Sequence, residues 1–332
     1  MLATLRDPKL AVEFRISGTQ AMSGTTLTSS GSLIVAGPDI ELALVTDELN
    51  LRVGEVAKGG KVWLRVGNGR WLLDESPTRP PAVASAFAKA VAVEASGSVL
   101  LDAVKLDRVH LSGVDLDALL MAMGMADPGT TGSTGDAYLL LAQDGSFAGI
   151  QLDVSYAAAA GQERQTIWRT LAVVRLAQVG QTGSPTVATP QDAWIRHYSK
   201  RLAYLVNYPP TMRQSEPAEG DSYKGPSSAQ CLITGSVIGS KDTLASITKA
   251  EVARLTKGGI TVAANRAAKV AGDPAQRLEL KFQSAGKAYW AVKYIVVHQN
   301  VVYTLSWMDL AGRRTALEKV ATEMLASFQP VF

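Results

Sequence analysis

Cysteine and histidine are scarce in this sequence, which has one cysteine, Cys231, and three histidines, His110, His197 and His298. A single cysteine cannot form an internal disulfide, and the apolar stretch Cys231-Leu-Ile-Thr favours a buried hydrophobic residue over a reactive thiol. The histidines lie far apart, and no HExxH, CxxC or EF-hand pattern occurs. The sequence therefore predicts no metal site and no cofactor.

Motifs of catalysis are also missing. There is no Gly-x-Ser-x-Gly elbow around a nucleophilic serine. Gly67-Asn-Gly69 lacks the third glycine and the following helix of a phosphate-binding loop, so it predicts a hairpin turn. Asp115 and Asp117 lie close together, but their predicted role is to cap a helix and charge its first turn. We expect a protein that is not an enzyme, with a catalytic site built from distant residues as an alternative.

Long apolar runs are absent as well. The stretch from Ala82 to Ala95 is shorter than the roughly 18 residues that a membrane span needs, and it is rich in alanine. The first residues, Met1-Leu-Ala-Thr-Leu-Arg-Asp, have neither the basic start nor the cleavage site of a secretory signal. Either the protein is cytoplasmic, or a leader upstream of Met1 has been removed.

Charge is distributed unevenly along the chain. Residues 1–190 contain 15 lysines and arginines against 19 acidic residues, a net charge of −4, and residues 191–332 contain 18 against 11, a net charge of +7. A basic second half could favour anionic membranes or acidic partners. The scattered positions of these residues are equally typical of a solvated surface. No basic stripe with interleaved aromatic residues occurs, so nucleic acid is not a predicted partner.

The sequence pattern changes near residue 190. Before it, long alternating strands are interrupted by two segments rich in alanine and leucine. After it, a compact series of strands and helices ends in a helix. The segment Gln181 to Pro190 is small, polar and contains prolines, which is typical of a linker. We predict a first domain over residues 1–180, a linker over 181–190 and a second domain over 191–332.

The first domain is predicted to be an antiparallel sheet with two helices. Lys9 to Ser17 and Thr25 to Ala36 alternate between apolar and polar residues, as strands buried on one face do. One helix follows Pro80-Pro81 and a second follows Asp115. The predicted apolar face of the first helix contains Val83, Phe87, Ala90 and Val91. The predicted apolar face of the second contains Leu116, Leu119, Leu120 and Met123.

This arrangement resembles the periplasmic lipoprotein carriers of the LolA type and their mycobacterial LppX and LprG relatives. The resemblance covers about residues 1–180 and rests on the strand order, on Val62-Trp-Leu-Arg-Val-Gly-Asn-Gly-Arg-Trp-Leu-Leu73 and on the helix after Pro80-Pro81. It implies an unclosed, strongly curved half-barrel with helices as a lid. It also implies that acyl chains bind between the barrel and the lid.

Such a site would be a hollow between the apolar sheet face and the helices. An acyl chain that fills it gains about 0.8 kcal/mol per buried methylene. The predicted lining residues are Phe14, Ile16, Leu33, Val35, Leu42, Leu44, Leu64, Phe87, Val91, Leu119 and Met123. The alternative is that these residues form an ordinary closed core, which the sequence does not distinguish from a hollow one.

The second domain resembles the PsbP-like fold, in which helices flank a central antiparallel sheet. The residues that support this resemblance are Leu202 to Met212, the helix from Thr243 to Lys257, the hairpin from Tyr289 to Trp307 and the closing helix that ends near Phe328. Actinobacterial lipoproteins of the LpqN type share this fold. The resemblance implies a binding or assembly module without catalytic residues, and an α+β fold class for the chain.

Three hypotheses follow. The first is an extracytoplasmic lipoprotein of the cell envelope, with its lipid-anchored cysteine upstream of Met1, whose first domain binds a lipid or other hydrophobic ligand. The second is an envelope protein-interaction or assembly module with a full core, indicated by an exposed aromatic patch near Trp194, Tyr198 or Tyr204. The third is an enzyme, indicated by a cleft that gathers His197 or His298 with carboxylates.

Overall fold

The computed structural model describes residues 2–22, 24–74, 81–123, 131–157, 163–226 and 228–331. The chain divides into two compact units, residues 1–192 and 193–332. The first unit contains helices α1 (Leu2–Arg6), α2 (Val83–Ala86) and α3 (Leu116–Ala122). Its strands are β1 (Leu10–Met22), β2 (Thr25–Ala36), β3 (Asp39–Thr46), β4 (Leu51–Lys58), β5 (Lys61–Val66), β6 (Leu72–Asp74), β7 (Val91–Leu101), β8 (Val104–Ser112), β9 (Thr134–Leu141), β10 (Phe147–Ala157) and β11 (Arg164–Gln178).

The strands of the first unit form one antiparallel sheet in which β1 and β11 pair at the centre. The order runs β6-β5-β4-β3-β2-β1-β11-β10-β9-β8-β7. Almost every strand therefore pairs with its neighbour in sequence, and the pairing of β1 with β11 brings the two ends of the unit together. Within the described residues, β6 and β7 do not pair with each other, so the order is open.

The helices of the first unit share one buried core with the sheet. Leu5 of α1, Val83 of α2 and Leu119 of α3 belong to the same cluster as Phe14 and Leu33. The second predicted helix is present, and the Asp115 carboxylate caps it by accepting a hydrogen bond from the Ala118 N–H at 2.9 Å. This capping role is the one that the sequence predicts for Asp115.

The first predicted helix is much shorter than expected. It ends at Ala86, and the chain enters β7 at Val91, so the prediction that Val91 lies on a helix face is wrong. The valines of this segment favour a strand, since β-branched side chains fit a pleated backbone better than a helix. β7 pairs with β8 across the two-residue turn Asp102-Ala103, where both residues have positive φ. Neither strand was predicted.

The predicted linker, residues 181–190, is part of the first unit and contacts its strands. The Lys58 ammonium group donates a hydrogen bond to the Val187 carbonyl at 2.6 Å. The Ala188 N–H donates to the Glu41 carboxylate at 3.4 Å, and the Val187 side chain is buried. Residues 181–190 therefore do not behave as a free spacer along their whole length.

The second unit contains two groups of antiparallel strands and two helices. Its helices are α4 (Leu244–Lys257) and α5 (Arg314–Ala326). Its strands are β12 (Trp194–Ser199), β13 (Tyr204–Tyr208), β14 (Arg213–Ser215), β15 (Asp221–Lys224), β16 (Gln230–Val237), β17 (Thr261–Val270), β18 (Asp273–Ser284), β19 (Lys287–His298), β20 (Val301–Leu310) and β21 (Gln329–Pro330). One group has the order β14-β15-β16-β20-β19-β18-β17, and the other has the order β21-β13-β12.

Helix α4 is fixed to the larger group by an apolar face and an ionic contact. Leu255 shares a buried cluster with Leu278 and Ile295 of the sheet. The Lys293 ammonium group donates to the Glu251 carboxylate at 2.6 Å. Burial alone would raise the pKa of Glu251, but hydrogen bonds from Arg254 and Lys293 outweigh it and lower the pKa to about 2. Glu251 therefore stays ionised at physiological pH.

Strands dominate the described residues of both units, and helices are few. This agrees with the predicted α+β class, and the predicted placing of helices on either side of the second domain's sheet stays a prediction. The curvature expected of a half-barrel stays a prediction. Within the described ranges, no helix has the length and apolar composition needed to cross a membrane.

Candidate ligand-binding site

One face of the first unit's sheet is apolar over several strands, and we call it the inner face. It is the face on which Phe14 and Ile16 of β1 lie. Phe14 pairs with Leu33 on β2, and Leu33 pairs with Leu42 on β3. Paired residues on adjacent antiparallel strands point to the same side, so these side chains form a row across the sheet. The neighbouring row joins Ile16 to Leu171 on β11.

The structure brings ten of the eleven predicted lining residues together. Those that are almost fully buried in the shared core are Phe14, Ile16, Leu33, Val35, Leu42, Phe87, Leu119 and Met123. Leu44 and Leu64 are partly buried and pack against the same core. Val91 is separate, because it begins β7 with 56% of its surface exposed.

The three short helices are joined to one another by polar contacts. The Arg6 guanidinium group of α1 donates to the carbonyls of Phe87 and Ala90, which follow α2. The Asp115 N–H before α3 donates to the Ala86 carbonyl at 2.9 Å. These bonds tie α1, α2 and α3 into one layer against the inner face.

An arginine is buried on the inner face, and no carboxylate among the described residues pairs with it. Arg169 of β11 has only 3% of its surface exposed, and its Nη2 donates to the Ser29 hydroxyl at 2.9 Å. Within the part of the chain that the structure describes, its Nε and Nη1 have no hydrogen-bond partner. Burial lowers the pKa of the guanidinium group and nearby Tyr156 raises it in part, but an arginine remains charged.

A carboxyl group lies on the same face, in the row of Phe14. Glu55 of β4 pairs with Leu42 on one side and with Leu64 on the other. Burial among apolar neighbours raises the pKa of Glu55 from 4.5 to about 7. The candidate face is therefore apolar with two ionisable groups, neither of which was among the predicted site residues. The sequence does indicate that both groups lie on this face, because each is two residues away from apolar residues on both sides along its strand.

A buried polar network lies in the second unit. Asp221 is fully buried and accepts hydrogen bonds from Arg201 Nη2 at 3.0 Å and from the Tyr204 hydroxyl at 2.6 Å. The Tyr204 and Tyr223 hydroxyls lie 3.0 Å apart. Burial first, and then the neighbouring Tyr223 and Asp221, raises the pKa of Tyr204 well above its ordinary value. This network organises the start of the second unit and stays closed to solvent except at Arg201.

The histidines pair separately with aspartates and do not form one site. His110 Nε2 lies 3.0 Å from Asp136 Oδ1, and His298 Nδ1 lies 2.8 Å from Asp273 Oδ2. His197 is buried, with its Nε2 4.0 Å from Asp221 Oδ2. Among the described residues, no group of three or more potential metal ligands occurs.

A groove of about 600 Å³ lies on the second unit, at the ends of β17, β18 and β19. The rings of Phe282 and Tyr289 stack in it with their centroids 5.3 Å apart. The Arg314 guanidinium group lies over the Trp290 ring at 5.1 Å. Arg314 also contacts the Glu279 carboxylate, so its charge is already balanced within the protein.

No family model matches this chain, and no curated protein matches it either. Several solved structures are similar to it. The PsbP protein CyanoP of the cyanobacterium Synechocystis is 14% identical with a TM-score of 0.36, covering 46% of this chain and all of that one. LpqN of Mycobacterium tuberculosis, described as involved in cell envelope biogenesis, is 14% identical with a TM-score of 0.36, covering 42% and 91%. MucB of Pseudomonas aeruginosa, solved with MucA, is 9% identical with a TM-score of 0.23, covering 100% and 98%.

CyanoP and LpqN are of the type that the resemblance names for residues 191–332. Their TM-scores are low, so these likenesses carry no argument about fold, ligand or activity. None of the three structures is described as a LolA-type carrier, and the resemblance of residues 1–180 to that family stays a prediction.

Proposed function

We propose that this chain is a non-enzymatic binding protein of the cell envelope, and that its first unit binds a lipid or another hydrophobic ligand against the inner face. The proposal follows the resemblance to extracytoplasmic lipoproteins in its location, including an anchor upstream of Met1. The observation that carries it is the continuous apolar inner face, covered by a layer of very short helices.

The lengths of the elements support this proposal. Helices α1, α2 and α3 have 5, 4 and 7 residues, whereas β1 and β11 have 13 and 15. Helices of this length have almost no stability of their own and keep their place through packing. Moving the layer aside therefore breaks few backbone hydrogen bonds and opens the inner face. An acyl chain there would replace the apolar contacts that the helices lose.

The direct test is to determine what the purified protein carries, by native mass spectrometry followed by organic extraction. We expect an acyl species in stoichiometric amount, or uptake of an added fatty acid by the empty protein. A clean mass for the protein alone, with no uptake of added fatty acid or fluorescent lipid, would contradict the proposal.

A bulky side chain under the helices should block binding. We expect Leu119→Trp to weaken the binding of a fluorescent fatty acid by at least about tenfold, because the indole would fill the space between α3 and the sheet. Val91→Trp is the matched control, since Val91 is exposed on β7 and the same substitution there should leave the affinity unchanged. Fluorescence titration measures both, and circular dichroism checks that both variants are folded.

A second variant covers the case in which Leu119→Trp does not fold. Leu44 is only partly buried on the inner face, so Leu44→Trp has room for the larger side chain. It should weaken binding to a similar extent with little loss of stability. Wild-type affinity in a folded Leu44→Trp variant would argue against a ligand on this face.

A protein-interaction role is the second candidate, and a different surface favours it. Strand β7 pairs with β8 on one side, and the hairpin exposes Val93, Leu100 and Val104, with 73% of Leu100 accessible. An apolar edge strand can pair with a strand of another protein. The aromatic patch expected for this role is reduced to Tyr198, since Trp194 and Tyr204 are buried. Co-purification of a stoichiometric protein with an empty first unit would favour this candidate.

A further inference from the structure

Arg169 is a feature of the inner face that apolar packing does not explain. Its guanidinium group can donate five hydrogen bonds in a fixed planar fork. The contact of Nη2 with the Ser29 hydroxyl uses one of them, and Nε and Nη1 have no partner within the described residues. Burying a charge is unfavourable unless it is paired and hydrogen-bonded. An anion is therefore the kind of group that would satisfy these donors.

The sheet leaves space for this side chain. Arg169 on β11 pairs with Gly18 on β1, and Gly18 pairs with Ser29 on β2. The arginine thus reaches across the central strand to the serine. A Cβ atom at Gly18 would lie 3.0 Å from the Arg169 Cγ and 2.1 Å from the Trp168 carbonyl oxygen. Glycine at this position lets the arginine lie flat along the face.

The surroundings of Arg169 are mainly apolar. The next residue of β1 on this face in one direction is Ile16, which is fully buried, and Phe14 follows it. In the other direction lies Gln20, whose amide donates to Gln165, but Gln20 pairs with Ile167 of β11, which is also fully buried. Successive rows are about 7 Å apart along a strand. Arg169 therefore lies among apolar side chains, with the amides of Gln20 and Gln165 on one side.

We propose that Arg169 binds the acidic head group, a carboxylate or a phosphate, of an amphiphile whose apolar chain lies along Ile16 and Phe14. This inference rests on the proposed function and adds the chemical class of the ligand. The planar guanidinium group suits both acids, because Nη2 has a second N–H that points alongside the N–H of Nε or of Nη1, and such a pair can donate to two oxygens of one head group. The Ser29 hydroxyl accepts from Nη2 and holds the guanidinium group in position.

The test compares three ligands with the same twelve-carbon chain on the full chain: dodecanoate, dodecyl phosphate and the neutral methyl dodecanoate. We expect the wild type to bind at least one of the acids about tenfold or more tightly than the ester, in the range of charge-assisted hydrogen bonds. In Arg169→Met the acid and the ester should bind within about twofold of each other. Arg169→Lys should keep part of the preference. Whichever acid binds more tightly identifies the head group.

The outcomes separate this inference from the proposed function. Equal binding of acid and ester by the wild type would overturn the role of Arg169 and leave the proposed function standing. Binding of none of the three ligands would overturn both. An unchanged preference for the acid over the ester in Arg169→Met would also overturn the role of Arg169. The thermal midpoint of the empty Arg169→Met variant should not fall, whereas an arginine with a purely structural role would give a lower midpoint.

Discussion

Replacement of Asp221 by alanine is expected to lower the free energy of unfolding of the second unit by about 1–3 kcal/mol, the range for leaving a buried hydrogen-bonding group without its partner. The Asp221 carboxylate accepts from both Arg201 and the buried Tyr204 hydroxyl. Without it, the Arg201 charge loses its partner, and Tyr204 keeps only its contact with Tyr223. Removing the carboxylate thus takes away the acceptor of one fully buried hydroxyl and the ionic partner of the partly exposed Arg201.

The two units must be followed separately to measure this effect. Hydrogen exchange read by mass spectrometry reports opening free energies peptide by peptide, so peptides of residues 204–233 and 10–36 represent the two units. Glu219→Ala is the matched control, since it removes an exposed carboxylate two residues away and should change stability by less than about 0.5 kcal/mol. A loss below about 1 kcal/mol in Asp221→Ala would mean that water replaces the carboxylate and that the network contributes little.

The parts of the fold that could be predicted from the sequence are those with local signals. Lys9 to Ser17 alternates because the strand has one buried face, and β1 is found there. The helix predicted from Thr243 to Lys257 is present as α4, where the Thr243 and Ser246 side chains form a capping box. In both cases the residues of the element itself carry the pattern, so the element can be predicted without knowing which strand or helix packs against it.

The hairpin of β7 and β8 could not be predicted because it lacks those signals. β7 is an edge strand exposed along nearly its whole length, so burial imposes no alternation on it. Its turn, Asp102-Ala103, adopts positive φ without the glycine or asparagine that usually marks such a turn. Alanine and valine near residue 90 therefore predict one helix face, and this pattern wrongly places Val91 on that face.

The ionisable groups of the candidate site depend on strand register, which the sequence leaves open. Arg169 lies between Ile167 and Leu171 on its strand, and this spacing does indicate that it shares their buried face. Its approach to Ser29 requires the pairing of β11 with β1 and of β1 with β2, across 140 residues of sequence. The apolar lining could be predicted from pattern alone, whereas the head-group chemistry could not.

Replacement of Glu55 by glutamine is expected to stabilise the protein at pH 8 by about 2–3 kcal/mol and to have almost no effect at pH 4. The folded protein raises the pKa of Glu55 to about 7, above its ordinary value of 4.5, because burial disfavours the carboxylate. Below the ordinary value the group is neutral in both folded and unfolded chains. As pH rises through this window the unfolded chain loses its proton first, so stability falls until pH passes about 7.

The measurement is urea unfolding of the wild type and of Glu55→Gln at several pH values between 4 and 8, with the difference between the two proteins as the readout. Because both proteins share every other titrating group, the difference isolates Glu55, and a carboxyl carbon chemical shift measured by NMR would give its pKa directly. A constant difference across this range would mean that Glu55 ionises in the folded protein as it does in water. Ionisation of Glu55 near neutral pH places a negative charge between Leu42 and Leu64, so the neutral methyl dodecanoate should bind more weakly at pH 8 than at pH 5 in the wild type but not in Glu55→Gln.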